Sequence, residues 1–391
     1  MTERPSDTLV AGGGIGGLSV ALALARRGIG VTVLEQSAEL REIGAGIQLA
    51  PNALRMLDTL GLLDAVSADA VYPAEAALMD AVTGSRITKL DFGRGFQQHY
   101  GYPYLVTHRS DLYDCLLDAC RATALVTIHT GRKVESVTEE AETVTVTCAD
   151  GLVFTGSVLV GADGLHSAVR QYVLGDGEPR CAGDAAYRGT VDSDRVTDRS
   201  RLDAVTWWIG PNIHLIQYPV RQKELLNQVA VFTSARFAAG EPEWGTPGEL
   251  DDRFSRTAAP VRDGLALVGR DRAWHLFDRD PARTWTRGRV TLLGDAAHPM
   301  LQYLAQGACQ AIEDAVVFAG CRARYPLDKA LRTYEEERLP RTTEVVIWAR
   351  RMGEIVHAQG TMALLRDGLL KPRRPDDFTL FDWLYGYRIG D

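Results

Sequence analysis

The sequence predicts an α/β protein in which a Rossmann-like nucleotide-binding domain carries an inserted antiparallel β-sheet. Three observations lead to this prediction. A short apolar strand at residues 8–11 runs into the glycine loop GGGIGG and then into a helical segment. Two further apolar strands, at residues 158–161 and 290–293, are each followed by an aspartate beside a glycine. Residues 180–285 instead contain strand-like, aromatic-rich segments separated by turns, which is typical of an antiparallel sheet.

The composition is that of an ordinary globular protein. The chain has 391 residues, of which 46% are hydrophobic and 24% charged, and its net charge is −8. This length allows two domains with separate cores, and the negative charge argues against a nucleic-acid partner. The first residues lack an apolar signal-peptide core and no apolar run approaches roughly 18 residues, so we expect a cytoplasmic protein without a transmembrane segment. The six cysteines show no C-x-x-C spacing and the histidines do not cluster, so we expect neither a metal site nor disulfides.

The glycine loop is the first candidate binding site. Gly12, Gly14 and Gly17 match G-x-G-x-x-G between a strand and a helix, and Glu35 ends the next strand about 20 residues further on. In this motif the glycines permit a tight turn, approach of a pyrophosphate and close helix packing, while the acid binds ribose hydroxyls. By itself the motif does not distinguish NAD, NADP and FAD. The predicted nucleotide-binding residues here are Gly12, Gly14, Ile15, Gly17, Glu35 and Gln36.

Residues 289–315 form the second candidate site. A buried strand at 290–293 turns at Gly294, where Asp295 is placed to hydrogen-bond hydroxyl groups of a ligand. Apolar residues recur at helical spacing from Gly307 onward, so the N–H groups and the positive dipole end of that helix face the preceding loop. We therefore expect a flat ring that becomes anionic on reduction.

The third candidate site lies between these two in the chain. Residues 133–161 predict a β-meander that runs into an apolar strand and then Asp163. Earlier in the chain, Arg109 precedes Ser110, which we expect to cap a helix through Cys120. In the C-terminal part of the chain we expect a long helix at 331–351 that is interrupted at Pro340.

The three motifs, in this order, resemble the single-component FAD-dependent aromatic hydroxylases, the superfamily of 4-hydroxybenzoate and salicylate hydroxylase. The segment GDAAHP with AIEDA is similar to the ribityl-binding motif, and ADGLHSAVR is similar to the DG motif. The resemblance implies FAD as the cofactor, with Asp295 on the ribityl chain, Pro299 beside the flavin ring and Asp163 supporting both flavin and nicotinamide. The FAD-binding residues that it implies are Arg41, Arg109, Asp163, Asp295, Pro299, Gly307 and Ala308.

The loop and one strand resemble a single branch of that superfamily. The family loop has Pro, Gly and Asn where this chain has Gln302, Ala305 and Cys309, and LQYLA is similar to the 3-hydroxybenzoate 6-hydroxylase branch. GPNIHLIQYP resembles the same branch, and strand periodicity places His214 and Tyr218 on one face. A strand histidine alone is more often structural. With the resemblance, His214 is expected to be the base, Tyr218 and Gln302 to position the ring and its carboxylate, and Arg188 to contact an anion.

The resemblance implies the reaction and the domain layout. NADH or NADPH reduces FAD, O₂ gives a C4a-hydroperoxyflavin, and a small phenolic acid is hydroxylated, most simply 3-hydroxybenzoate to 2,5-dihydroxybenzoate. Alternatives are an aminohydroxybenzoate or salicylate hydroxylase, a flavin halogenase and a non-catalytic flavin redox sensor. We expect the FAD-binding domain at 1–180 and 286–391 with C-terminal helices, the substrate domain at 181–285, strands from 70–105 on the substrate side, and a possible homodimer.

Overall fold

The computed structural model describes residues 7–40 and 45–390. Within these residues the strands, in chain order, are β1 (Thr8–Ala11), β2 (Val31–Leu34), β3 (Gly46–Leu49), β4 (Glu75–Asp80), β5 (Arg86–Asp91), β6 (Leu105–His108), β7 (Val126–His129), β8 (Val134–Glu139), β9 (Val144–Cys148), β10 (Val153–Gly156), β11 (Leu159–Gly161), β12 (Arg180–Asp192), β13 (Ala204–Gly210), β14 (Ile213–Val220), β15 (Leu225–Thr233), β16 (Trp274–Asp278), β17 (Thr286–Arg287) and β18 (Val290–Leu292).

The α-helices alternate with the first strands and dominate the C-terminal part. They are α1 (Ile15–Ala25), α2 (Pro51–Thr59), α3 (Leu63–Ser67), α4 (Arg94–Tyr100), α5 (Arg109–Arg121), α6 (Ala168–Val173), α7 (Ala235–Ala238), α8 (Pro247–Phe254), α9 (Ala259–Leu265), α10 (Gly307–Arg324), α11 (Leu327–Val356), α12 (Gly360–Leu370) and α13 (Asp382–Tyr385). In this part of the chain, no helix combines the length and the apolar character needed to cross a membrane.

Two local predictions about helices were wrong. His108, not Ser110, is the N-cap residue of α5, and its side chain accepts a hydrogen bond from the Ser110 N–H. Helix α11 runs without a break through Pro340. The side chains of Arg338 and Arg341, on either side of this proline, donate to carboxylates of α10 and fix both halves of the helix. Tertiary contacts therefore outweigh the local preference of proline.

The six-stranded sheet has the order β17-β18-β11-β1-β2-β7. All pairs are parallel except β17 with β18, which is antiparallel. The strands are short and almost wholly apolar because α1 and α10 cover them, and this layer forms the largest buried cluster. The predicted parallel sheet is confirmed, and the carboxyl ends of β2, β1, β11 and β18 lie side by side.

The segment 180–278 supplies most of a second, seven-stranded sheet with the order β16-β12-β15-β14-β13-β4-β5. It is antiparallel except where β13 pairs with β4 in parallel. The predicted inserted sheet is thus present, extended by β4 and β5 from earlier in the chain. The exact domain boundaries stay a prediction. The meander β8–β9–β10 forms a separate three-stranded antiparallel sheet, as the sequence predicts.

Candidate active site

The predicted binding loops meet at one edge of the six-stranded sheet. Gly12 follows β1, Asp163 follows β11, and Asp295 follows β18, three strands that are neighbours in this sheet. Backbone hydrogen bonds join the loops, with the Ala162 N–H donating to Ala11 O at 2.8 Å. Because ligands of open parallel sheets bind beyond the carboxyl ends of the strands, this edge is the expected site of a dinucleotide.

The glycine loop has the shape that the motif requires. Gly12 has φ of 99°, and a Cβ atom there would overlap the carbonyl oxygen of Ala162. A Cβ atom on Gly17 would overlap the carbonyl oxygen of Gly12, so α1 packs directly on the loop. Gly14 differs, because a Cβ atom there would have no neighbour within 4 Å. The open side of Gly14 faces the N-terminus of α1, which starts at Ile15, and leaves room for a pyrophosphate.

Glu35 is held across from this loop. Its Oε2 accepts the Gly13 N–H at 2.6 Å and its Oε1 accepts the Ser37 N–H at 2.7 Å. Each carboxylate oxygen keeps a further acceptor position for a ribose hydroxyl. Gln36, the next residue, is exposed. Both residues lie at the carboxyl end of β2, where the adenosine half of a dinucleotide is expected.

Asp295 differs from its surroundings in exposure. Its neighbours Gly294 and Ala296 are buried, whereas Asp295 is exposed. Its carboxylate has no hydrogen-bond partner among the described residues, and a Cβ on Gly307 would lie 3.9 Å from Oδ1. Helix α10 therefore begins beside this carboxylate, with Gly307 and Ala308 half-buried in its first turn. This arrangement suits a ligand that carries hydroxyls and an electron-rich ring edge.

Asp163 is engaged by hydrogen bonds within the protein. Its carboxylate accepts hydrogen bonds from the Ser167 hydroxyl and from the Val169 N–H, so it holds the start of α6. Burial raises the pKa of Asp163, and these donors oppose the rise. From α6, Arg170 Nη1 donates to the carbonyl oxygens of Ala296 and Ala297 at 2.8 and 2.7 Å. The segment that carries Asp163 thus supports the loop that carries Asp295.

A buried ionic cluster behind that loop was missed by the sequence analysis. Asp314 on α10 accepts the Gly294 N–H at 3.1 Å and lies 2.6 Å from His298 Nε2. Arg338 Nε donates to the same carboxylate at 2.7 Å, and neither Asp314 nor Arg338 is exposed to solvent. The signal was present in the sequence as two adjacent acids in an otherwise apolar helix. Buried acids need cationic partners, but which arginines supply them depends on helix packing.

The other predicted cofactor residues are only partly located. Arg41 lies outside the described residues. Arg109 is the first residue of α5, and its N–H donates to Ala45 O at 3.0 Å, so it lies beside the segment that precedes β3. Pro299 is buried, and its carbonyl oxygen accepts from the Arg279 N–H at 3.4 Å. The roles of these three residues toward a cofactor stay predictions.

The predicted substrate residues share one face of the seven-stranded sheet. His214, Ile216 and Tyr218 alternate with Ile213, Leu215 and Gln217, and Leu215 packs on the opposite face against α8 and α9. Strand register places Arg188 opposite Val229, and Val229 opposite Ile216. Since directly paired residues share a face, Arg188 belongs with His214 and Tyr218. Its guanidinium carbon lies 4.0 Å from the ring centroid of Trp274.

The loop after Asp295 covers this face. The ring of Tyr303 lies 5.3 Å from that of His214, measured between centroids, while Met300 and Leu304 pack in the cluster that contains Tyr218. Gln302 is half-buried in the same loop, and its side chain has no hydrogen-bond partner among the described residues. Ala305 has φ of 52°, a left-handed conformation that favours the glycine found there in related loops. The loop thus places Leu301 and Tyr303, on either side of Gln302, against the sheet, and the role of Gln302 stays a prediction.

Two further polar residues on this face were not predicted. Asn227 pairs with Tyr218 across the strands, and its Oδ1 accepts the Gly46 N–H at 2.6 Å. Trp207 pairs with Ile216. Within the described part of the chain, Asn227 Nδ2 and Trp207 Nε1 are buried without a hydrogen-bond partner. These two donors are therefore available to a bound group that accepts hydrogen bonds. Strand register was needed to find them.

His214 is 2% exposed and its Nδ1 lies 2.8 Å from Nε2 of His357. Burial, and then His357, hold the pKa of His214 well below its usual value, so the imidazole is neutral. Burial raises the pKa of Tyr218, against smaller opposing effects of Gln48 and Arg188, so its phenol stays protonated and can donate. The face therefore combines a neutral imidazole, a protonated phenol and a guanidinium.

Comparison with known proteins gives the family. Residues 5–349 match the family model described as FAD binding domain. Over 396 residues the chain is 40% identical to the 3-hydroxybenzoate 6-hydroxylase of Polaromonas naphthalenivorans (strain CJ2), covering 100% of this chain and 99% of that one. The chain belongs to the FAD-dependent aromatic hydroxylases. The predicted family and fold class are confirmed, and the glycine loop, Glu35 and Asp295 fit FAD.

One further relative and one solved structure are also similar to this hydroxylase over their full length. It is 39% identical to a 3-amino-4-hydroxybenzoate 2-monooxygenase of Streptomyces platensis, with 98% of this chain and 96% of that one aligned. It superimposes with a TM-score of 0.86 and 27% identity on a variant of HpxO from Klebsiella pneumoniae complexed with FAD, covering 98% of this chain and 99% of that one. Each relative spans essentially the whole chain, so the similarity includes the substrate sheet and the C-terminal helices.

Proposed function

We propose that this enzyme is an FAD-dependent, NAD(P)H-consuming monooxygenase that hydroxylates a small phenolic carboxylate, most simply 3-hydroxybenzoate to 2,5-dihydroxybenzoate. The observation that carries the proposal is a neutral, buried histidine, His214, on the sheet face covered by the loop that follows Asp295. The relatives that hydroxylate hydroxybenzoates support the substrate class. They weigh against a halogenase and against a non-catalytic redox sensor.

FAD would be held by residues at the carboxyl edge of the parallel sheet. The N-terminus of α1 at Gly14 and Ile15 faces the pyrophosphate, Glu35 accepts from the adenosine ribose, and Asp295 accepts from the ribityl hydroxyls. The first turn of α10, at Gly307 and Ala308, directs N–H groups toward the flavin ring. When bound, FAD supplies the electron transfer from NADH or NADPH and the activation of O₂. Docking of the nicotinamide near Asp163 is part of the proposal.

The substrate sheet would prepare the aromatic ring. Removing the phenol proton increases electron density in the ring, which an electrophilic hydroxylation requires. His214 is the proposed base because it is neutral and its Nδ1 is already engaged by His357, which leaves Nε2 for the substrate. Tyr218 and Gln302 would orient the ring, and Arg188 would attract the carboxylate. Asn227 and Trp207 add two donors for this anion.

A substrate screen tests the proposal. Purified yellow protein is mixed with 3-hydroxybenzoate, 3-amino-4-hydroxybenzoate or salicylate, and NADH and NADPH oxidation is followed with product mass spectrometry. We expect one product heavier than its substrate by one oxygen atom. An aminohydroxybenzoate product supports the second candidate, which the Streptomyces relative favours. Reductant consumption without a hydroxylated product from any phenolic acid would refute both candidates.

We further propose that the enzyme is cytoplasmic and assembles as a homodimer. Sedimentation of the FAD-loaded protein tests the second point.

A further inference from the structure

The substrate face connects to a neighbouring cavity through one row of hydrogen-bonding groups. His214 Nδ1 lies 2.8 Å from His357 Nε2, and His357 Nδ1 lies 3.3 Å from the Thr233 hydroxyl. That hydroxyl donates to Asp184 Oδ1 at 2.7 Å, and the Tyr303 hydroxyl donates to Asp184 Oδ2, also at 2.7 Å. The row therefore starts at the proposed base and ends at a carboxylate.

The carboxylate fixes the direction of every hydrogen bond in the row. A carboxylate only accepts, so Thr233 gives its single proton to Asp184 and must accept from Nδ1 of His357. A neutral His357 protonated on Nδ1 has a lone pair on Nε2 and accepts from Nδ1 of His214. A neutral His214 protonated on Nδ1 then carries its lone pair on Nε2. Asp184 thus determines the tautomer of His214 through three hydrogen bonds.

The other end of the row opens toward solvent. Asp184, Thr233, Tyr303 and His357 line a cavity of about 790 Å³ between the seven-stranded sheet and α12. His214 is not part of its wall. His357 is the C-cap residue of the 30-residue helix α11, where the helix dipole favours a transient positive charge. Asp184 also favours a cationic His357, while burial and Arg253 oppose it.

We propose that His357, Thr233 and Asp184 are positioning residues that hold His214 as the Nδ1-protonated tautomer and conduct the phenol proton to this cavity. The substrate O–H bond breaks as a bond forms between the proton and His214 Nε2. The Nδ1 proton of His214 moves to His357 Nε2, the Nδ1 proton of His357 moves to Thr233, and the Thr233 proton moves to Asp184. The phenolate and a protonated Asp184 result, and Asp184 releases its proton into the cavity. This inference rests on the proposed role of His214.

The tautomer can be measured without turnover. In FAD-loaded protein labelled with ¹⁵N-histidine, we expect the nitrogen chemical shifts of His214 to show a protonated Nδ1 and an unprotonated Nε2 at pH 7.5. The His214→Asn and His357→Gln variants assign the signals. A His214 protonated on Nε2 in the wild-type protein would overturn the inference, whatever the catalytic rate.

A matched pair of variants tests the relay. Thr233→Val removes the hydroxyl at nearly constant shape, and Thr233→Ser keeps it. With the substrate identified by the screen, we expect kcat of Thr233→Val to fall about tenfold with KM little changed, and its His214 signal to lose the fixed tautomer. Thr233→Ser should restore both properties to near the wild-type values. Equal kcat in Thr233→Val and the wild type, or equal losses in both variants, would contradict the relay. If the tautomer is as expected but His214→Ala retains full activity, the proposed base is wrong rather than the hydrogen-bond row.

Discussion

His298 Nε2 lies 2.6 Å from the carboxylate of Asp314, and both side chains are buried. This pair joins the loop that carries Asp295 to helix α10, because Asp314 also accepts the Gly294 N–H. Burial alone would raise the pKa of Asp314, but His298 and Arg338 lower it to about 2. Within residues 289–315, one aspartate, Asp295, is thus exposed, while the other, Asp314, is buried and supports the loop from behind.

Neutralising these two aspartates should therefore have opposite consequences. Asp295→Asn changes an exposed carboxylate without a described partner, so we expect unchanged stability of the apoprotein and FAD affinity reduced about 10- to 100-fold. Asp314→Asn leaves Arg338 buried with one partner fewer, so we expect a loss of about 3–5 kcal/mol in unfolding free energy. Urea denaturation and FAD titration of both variants provide the measurements. Similar stability losses in the two variants would contradict this division of roles.

The glycine loop allows a second paired comparison. Gly14 has φ of −76° and open space around it, so Gly14→Ala should leave the apoprotein folded but weaken FAD binding about tenfold or more by blocking the pyrophosphate. In Gly17→Ala, the new methyl group overlaps the Gly12 carbonyl, so we expect about 1–3 kcal/mol of destabilisation even without FAD. Melting curves of the apoproteins separate the two effects. Unchanged FAD affinity in Gly14→Ala would show that the pyrophosphate lies elsewhere.

His214→Ala should remove the base while leaving the cofactor site intact. We expect yellow protein with normal FAD content and hydroxylation slower by about 10²- to 10⁴-fold. His99→Ala, which changes an imidazole that is 46% exposed and paired with Asp382, is the control and should keep its activity. Stopped-flow detection of product formation gives the rates. A His214→Ala enzyme as fast as the control would exclude His214 as the base.

Stability should depend on pH through His357. Burial lowers the pKa of His357 from 6.5 to about 4. Above pH 6.5 the group is neutral in folded and unfolded chains alike, whereas between pH 6.5 and about 4 only the unfolded chain binds the proton, so stability falls as the pH decreases. When the pH decreases from 7.5 to 5.5, we expect His357 to lower the free energy of unfolding by about 1.4 kcal/mol. Urea denaturation at fixed FAD concentration should show a smaller loss for His357→Gln than for the wild type, and equal losses would contradict the assignment.

The sequence predicts most directly the residues whose roles depend on a short stretch of chain. Gly12, Gly14 and Gly17 are defined by the backbone turn between one strand and one helix, and Asp295 by its place at a strand end. These requirements act within a few residues and leave a pattern that can be read directly. The alternation that places His214 and Tyr218 on one face is equally local, because side chains along a strand alternate between the two faces.

The tertiary structure alone decided the partners of these residues. His214 meets His357 across 143 positions in the chain, and Arg338 meets Asp314 across 24. Arg188 and Asn227 join the substrate face only through the register of β12, β15 and β14. Register and helix packing depend on how all the buried surfaces fit together, so no short segment encodes them. For the same reason Pro340 lies inside a continuous helix: contacts made by its neighbours with α10 outweigh its own preference.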